Sequence, residues 1–192
     1  LVVADALFLG SQALEGGALH VSGGTIDLTD SRFVGDSALA RGGAVFLEGG
    51  TVSRFRDVTF EGSSGIEGAA LYVGPGVGAS ANPLQDAYDI NVCLGFHDPD
   101  RGGIQVIDAT APLGIPQSSL VHLQGGVSFE DFVIRGGQAS RGLAFAGASN
   151  EVTLQELALI DVTARHQLYM ERGTVIFGLF AGGGHPDWDP AP

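Results

Sequence analysis

Short stretches of alternating apolar and polar residues run along the first part of the chain. Ala18-Leu-His-Val21, Thr25-Ile-Asp-Leu28 and Ser31-Arg-Phe-Val34 are set apart by Gly-Gly pairs or by clusters of Asp and Ser. A period of two marks half-buried strands, and pieces this brief are too short for helices. The stretches also repeat. Gly16-Gly-Ala-Leu-His-Val-Ser-Gly-Gly-Thr25 returns as Gly42-Gly-Ala-Val-Phe-Leu-Glu-Gly-Gly-Thr51, an interval of 26 residues. A second landmark is an acidic residue followed three positions later by a large apolar one. It stands at Asp5 and Phe8, Asp30 and Phe33, Asp57 and Phe60, Asp131 and Ile134, and in degenerate form at Glu156 and Leu159.

Successive acidic positions of this landmark lie 25, 27, 74 and 25 residues apart. Seventy-four is close to three intervals, which places two further rungs between Gly74 and Gln124, with Asp89-Ile-Asn-Val92 as a faint landmark for one of them. From Phe8, Ile134 and Leu159 the next phrase begins about eight residues on, at Gly16, Gly142 and Gln167. Leu168-Tyr-Met likewise matches Leu19-His-Val at an offset of 149, close to six units.

Three brief strands per unit of about 25 residues predict a triangular coil whose successors stack in parallel at about 4.8 Å. The expected fold is all-β: a single-stranded parallel β-helix of about seven rungs, right-handed because parallel crossovers nearly always are. It is expected over 1–180, with a divergent loop insertion around 74–118. Residues 181–192 read as a Gly/Pro-rich tail, either a solvated linker or an end cap carrying Trp188. Stacking puts Ala18, Ala44 and Ala70 in one inward column and Leu19, Val45 and Leu71 in the next. Phe8, Phe33, Phe60, Ile134 and Leu159 form a large apolar column at a corner, while His20, Phe46, Tyr72 and His122 form an outward aromatic file.

Composition agrees with an ordered, turn-rich chain: 31 of 192 residues are Gly, 44% are hydrophobic and only 16% are charged. Nine Arg, no Lys and 22 acidic residues give a net charge of −13. That field repels phosphate backbones, so nucleic acid and anionic membrane surfaces are not expected partners, and cations and neutral glycans stay open. No run of 18 apolar residues is present, so no direct membrane insertion is expected. Cys93 is the only cysteine, which rules out an intrachain disulfide. In the apolar run Ile90-Asn-Val-Cys-Leu-Gly-Phe96 it reads as a buried structural thiol rather than a nucleophile. The opening LVVADALFLG lacks an initiating Met and a basic signal start, and the chain reads as a processed piece of a longer protein.

The repeated phrase resembles the polymorphic outer membrane protein repeats of chlamydiae and their relatives, marked by GGA followed by Ile, Leu or Val and paired with FxxN. Gly16-Gly-Ala-Leu19 and Gly42-Gly-Ala-Val45 match the first half, and Gly68-Ala-Ala-Leu71 nearly so. The second half departs: Phe8, Phe33 and Phe60 are followed by Ser11, Asp36 and Ser63 where the family has Asn. Asp and Ser keep the turn preference of Asn and lose the amide ladder. The resemblance implies a pectin-lyase-like solenoid displayed on a cell surface or outside the cell, used in adhesion or as a stalk. It implies no catalytic residues.

Several clusters invite chemistry. The acidic column Asp5, Asp30, Asp57, Asp131 and Glu156 offers oxygen ligands for Ca²⁺ if it ladders, and the plainer reading is a set of turn residues facing water. His97-Asp-Pro-Asp100-Arg101 and His185-Pro-Asp187-Trp-Asp189 gather imidazole and carboxylates, with one His each, and read as solvated loops in preference to metal sites. No cofactor or metal is expected. A polysaccharide lyase or hydrolase would need paired carboxylates or a base with a cation, and Asp86, Asp89, Asp98, Asp100, Arg101 and Asp108 concentrate where a loop-built site would stand. The preferred expectation is a non-catalytic structural or adhesive module, a rigid segment of a larger extracellular protein. Its expected partners are other protein chains at the open solenoid ends or side to side, and glycans. The alternative is an enzyme with its site at Asp89, Asp98, Asp100 and Arg101.

Overall fold

A computed structural model describes residues 1–79, 103–145, 151–171 and 174–183. The described residues form fifteen strands and no helix. The first coil holds β1 (Val2–Ala4), β2 (Leu7–Leu9), β3 (Gln12–Glu15) and β4 (Leu19–Val21). Then come β5 (Thr25–Val34), β6 (Ser37–Arg41), β7 (Val45–Glu61), β8 (Leu71–Ala79), β9 (Ile104–Ile107) and β10 (Ser119–Leu123). The chain continues with β11 (Ser128–Arg135), β12 (Gln138–Phe145), β13 (Glu151–Ile160), β14 (Thr163–Met170) and β15 (Thr174–Gly183). Every pairing between these strands is parallel. The protein is a parallel β-solenoid of about five turns. The brief strands expected from the sequence fuse in places: β5 and β7 each run through a bend at which Asp30 or Asp57 holds φ of 49° or 56°.

The stacked columns follow the repeat. Ala18 donates its amide to Ala44, and Ala44 to Ala70, while Leu19, Val45, Leu71 and Val121 pair in one file. At the corner Phe8, Phe33, Phe60, Val106, Ile134 and Leu159 stand in register, and all but Phe8 are fully buried. The rings stack face to face, Phe8 on Phe33 at 4.6 Å and Phe33 on Phe60 at 5.1 Å. Burying one such ring contributes roughly 2–3 kcal/mol by transfer alone. Strands are held between coils by the backbone ladder and inside each coil by this core.

The middle of the chain differs from the expectation. Val58 to Glu61 pair directly with Ile104 to Ile107, and those with Phe132 to Arg135. One coil, not two, therefore separates Phe60 from Ile134, and Val106 is its corner residue. Arithmetic on length could not separate an extra rung from a long excursion within one rung. The faint landmark Asp89 to Val92 lies outside the described residues. A second correction concerns Gly142: Leu143 pairs with Val121 and Leu168 with Leu143, so Gly142 stands one step before that file, in the Ala18 column and not the Gly16 column. The GGA turn is absent there because β12 runs unbroken from Gln138 to Phe145.

Two glycine positions show what the repeated phrase is for. A Cβ on Gly43 would lie 1.8 Å from the Ala69 carbonyl oxygen and 2.4 Å from that of Ser64, and one on Gly17 would lie 2.2 Å from the Gly43 oxygen. Neighbouring coils touch backbone to backbone at this turn, which leaves no room for a side chain. The corner after the phenylalanine file imposes a different demand. Gly10, Gly35, Gly62 and Gly136 take φ of 60–67° there, and Asp108 and Asp161 take the same role with φ of 50° and 53°. Asp tolerates the left-handed region, so this corner accepts either residue.

Gly43→Ala is accordingly expected to lower stability by about 3 kcal/mol or more, because rigid backbone must shift. Gly35→Asp, which adds atoms to open space at a φ that Asp adopts elsewhere in the same file, is expected to cost under about 1 kcal/mol. Chemical denaturation of the two variants checks the contrast, and equal losses would contradict it.

Candidate functional site

Of the acidic column, Asp5 and Asp30 are exposed and Asp57 is half-buried, with Arg56 Nε donating to its carboxylate at 3.0 Å. All three hold positive φ. They serve the backbone bend, as the plainer reading of the sequence proposed. Asp131 and Glu156 pair with each other in register between β11 and β13. Among the described residues no group of three His, Cys, Asp or Glu is placed to hold a metal ion. Asp86, Asp89, Cys93, His97, Asp98, Asp100 and Arg101, and the cluster His185 to Asp189, lie outside the described residues. Asp108, grouped with them by sequence, is a corner residue in the left-handed conformation.

The aromatic file is present and continuous. His20, Phe46, Tyr72 and His122 pair in register, with ring centroids 4.7, 5.1 and 4.7 Å apart. It points away from the apolar core, yet only His20 is exposed to solvent; Phe46, Tyr72 and His122 retain 2–3% of their surface. Part of the cover is Arg41, whose guanidinium carbon lies 5.0 Å from the Phe46 ring centre and 5.4 Å from that of Tyr72. Such a cation on ring faces is attracted by the ring quadrupoles. Arg41 also donates from Nε to Glu15 Oε1 at 2.9 Å. Tyr72 donates its hydroxyl to Gln124 Oε1 at 3.1 Å, and burial pushes that hydroxyl above its ordinary pKa.

His122 is the strained member of the file. Neither ring nitrogen has a hydrogen-bond partner. Burial first, then the charges of Arg141 and Arg41, push its pKa down to about 4. The imidazole is therefore neutral near pH 7, stacked on Tyr72 with both polar atoms desolvated and unpaired.

A loop over 111–118 projects beside this file. Ser118 and Ser140 donate their hydroxyls to the Pro112 and Leu113 carbonyls at 2.5 and 2.6 Å. Two grooves flank the loop. One, of about 360 Å³, is lined by Ala40, Arg41, Ile66, Glu67 and Gln117. The other, of about 250 Å³, lies between Leu113, Gly114 and Pro116 on one side and Ser140, Arg141, Arg165, His166 and Tyr169 on the other. Arg141 stacks over Tyr169 with its guanidinium carbon 3.6 Å from the ring centre. Sequence reading missed these residues, although one signal was available: Glu15, Arg41 and Glu67 recur at the repeat interval of 26.

Among the described residues no helix is long and apolar enough to cross a membrane, which leaves strands unaddressed. No family model, no curated protein and no solved structure matches this chain.

The buried imidazole makes acid sensitivity testable. A folded pKa below the ordinary 6.5 means that His122 contributes stability fully above about pH 6.5 and loses it as pH falls toward about 4, on the order of 3 kcal/mol across that window. His122→Phe keeps a ring in the stack and removes two unpaired polar atoms, so it is expected to stabilise the fold by about 1–2 kcal/mol at pH 7. The gap between variant and wild type should widen as pH drops from 6.5 to 4. Thermal melts of both proteins across that range check it, and parallel curves would contradict it.

Proposed function

We propose that this chain is a non-catalytic structural and adhesive module, a rigid β-solenoid segment of a larger extracellular or cell-surface protein. The observation that carries the reading is the unbroken corner file from Phe8 through Phe33, Phe60, Val106, Ile134 and Leu159, which locks each coil to the next along the described length. A ladder of this kind makes a stiff rod whose outer files are free to make contacts. Counted as levels of this corner file, which the pairing of Gly182 with Leu159 extends, the proposed number of rungs is about seven, against about five turns of the solenoid. The proposed hand is right, on the general preference of parallel crossovers.

The repeat type proposed is that of the polymorphic outer membrane proteins. Asp36 stands where that repeat has Asn; it is fully buried and accepts the Ser11 amide at 2.7 Å, while its second oxygen and the Ser63 hydroxyl have no partner. An amide at this corner would put a donor in place of the unpaired carboxyl oxygen. Asp36→Asn is expected to raise stability by about 1 kcal/mol, read by chemical denaturation, and a loss would count against the amide-ladder origin of this corner.

The proposed partners are other protein chains at the solenoid ends or side to side, and glycans. At the first coil β1 and β2 each pair with β5 alone, β3 with β6 and β4 with β7, and Val2, Leu7, Leu9 and Leu14 are more than half exposed. Open strand edges carrying apolar residues favour association. Sedimentation velocity over a hundredfold concentration range is expected to show reversible self-association, and a strict monomer throughout would count against it. The non-catalytic reading is overturned if the protein cleaves an acidic or neutral polysaccharide and Asp98→Ala, Asp100→Ala or Arg101→Ala abolishes that activity.

A further inference from the structure

We propose that the groove between the 111–118 loop and the Arg141–His166 step is a binding site for a carboxylate carried on a small, otherwise uncharged body about the size of one six-membered ring. The inference is independent of the adhesive reading, since the rod stands whether or not this groove is filled.

One file on the outside of the solenoid carries charge in register. Glu15 pairs in register with Arg41, and Arg41 with Glu67, so charge alternates along the file, and Arg41 donates to the Glu15 carboxylate. Further along, the Ser119 hydroxyl accepts the Gly68 amide; Ser119 pairs with Arg141, and Arg141 with His166. Alternation of sign stops there. Arg141 stands in register with His166 on a strand about 4.8 Å away, and Arg165 adjoins His166 in the chain. Among the described residues no ion pair joins Arg141, Arg165 or His166 to a carboxylate. A file that pairs its own charge in the early coils presents Arg141, with Arg165 nearby, lacking a carboxylate partner among the described residues in the later ones.

The same level carries the loop. From Thr110 to Val121 the chain takes eleven steps, against seven between their register partners Ser64 and Leu71. The additional residues build a wall of Leu113, Gly114 and Pro116 opposite the cations. The wall is fixed: Ser118 and Ser140 hold the Pro112 and Leu113 carbonyls, and the Ser118 amide donates to the Ile115 oxygen at 3.0 Å. Arg141 is fixed too, with one guanidinium face against Tyr169. A planar guanidinium stacked on a ring keeps its in-plane N–H donors for a ligand, in the forked geometry that fits a carboxylate.

Size and charge then narrow the ligand. A groove of about 250 Å³ admits one ring and not an extended chain. The chain's net charge of −13 opposes the approach of a polyanion, whereas a single carboxylate on a neutral body meets little long-range repulsion and gains the local cations at contact. The apolar faces of Leu113 and Pro116 suit the uncharged part.

The test uses isothermal titration of the full chain with cyclohexanecarboxylate and with D-glucuronate, which share the carboxylate and differ in body, and with D-glucose as the uncharged control. Saturable binding of either acid is expected, weakened about tenfold or more in Arg141→Gln and in Arg165→Gln, with amide shifts mapping to Leu113, Gly114 and His166. The tighter acid identifies the body. Arg165 is exposed and outside the Tyr169 stack, so its variant keeps the test sound if Arg141→Gln loses stability. The proposal is overturned if neither acid binds saturably, if glucose binds as tightly, or if Arg141→Gln and Arg165→Gln both retain wild-type affinity.

Discussion

Parallel stacking of coils imposes one condition on every residue of this protein: each side chain must fit against its counterpart about 4.8 Å above and below. Inside the solenoid the condition selects for sameness. Phe8, Phe33 and Phe60 stack ring on ring because equal shapes pack without gaps, and the file tapers to Val106, Ile134 and Leu159 without losing its apolar character. The same condition acts on the backbone at the GGA turn, where coils approach so closely that Gly43 has no space for a methyl group. The repeat in the sequence is the imprint of that geometry.

Outside the solenoid the condition works differently, since like charges in register repel. The early coils meet it by alternating Glu15, Arg41 and Glu67 and by filling the next file with rings. His122 enters this ring file as a shape match and carries two polar atoms that nothing satisfies, so the stack keeps it neutral at the expense of acid stability. From Arg141 onward the alternation gives way to arginines without a carboxylate partner among the described residues, and at that level the connecting loop lengthens to form a wall. A departure in charge and a departure in length coincide in one groove, and function is most readily placed where a repetitive scaffold breaks its own rule.

Much of the architecture was legible before the structure because stacking makes inward positions repeat literally. The Ala18, Ala44 and Ala70 column and the phenylalanine corner could be read by counting. The middle could not, because an insertion of one coil and an excursion within a coil lengthen the chain alike; only the pairing of Phe60 with Val106 and of Val106 with Ile134 separates them. Asp108 and Asp161 hid the glycine corner because two unlike residues solve the same φ requirement. The aromatic file was foreseen, but the burial of Phe46, Tyr72 and His122 was not, since alternation reports which way a side chain points and says nothing of what covers it, such as Arg41 over Phe46 and Tyr72. Arg141, Arg165 and His166 gave no local motif. Their convergence depends on the register of β12 with β14 and on a loop from the preceding coil.

The central claim is that a single coil bridges Phe60 and Ile134, so that the corner file passes from Phe60 through Val106 to Ile134 in register. Interstrand amide and Hα proton contacts by NMR test this most directly. Contacts linking the strand around Thr59 to Gln105, and Gln105 to Val133, are the predicted result. Contacts that place another strand between any of these three would contradict the account.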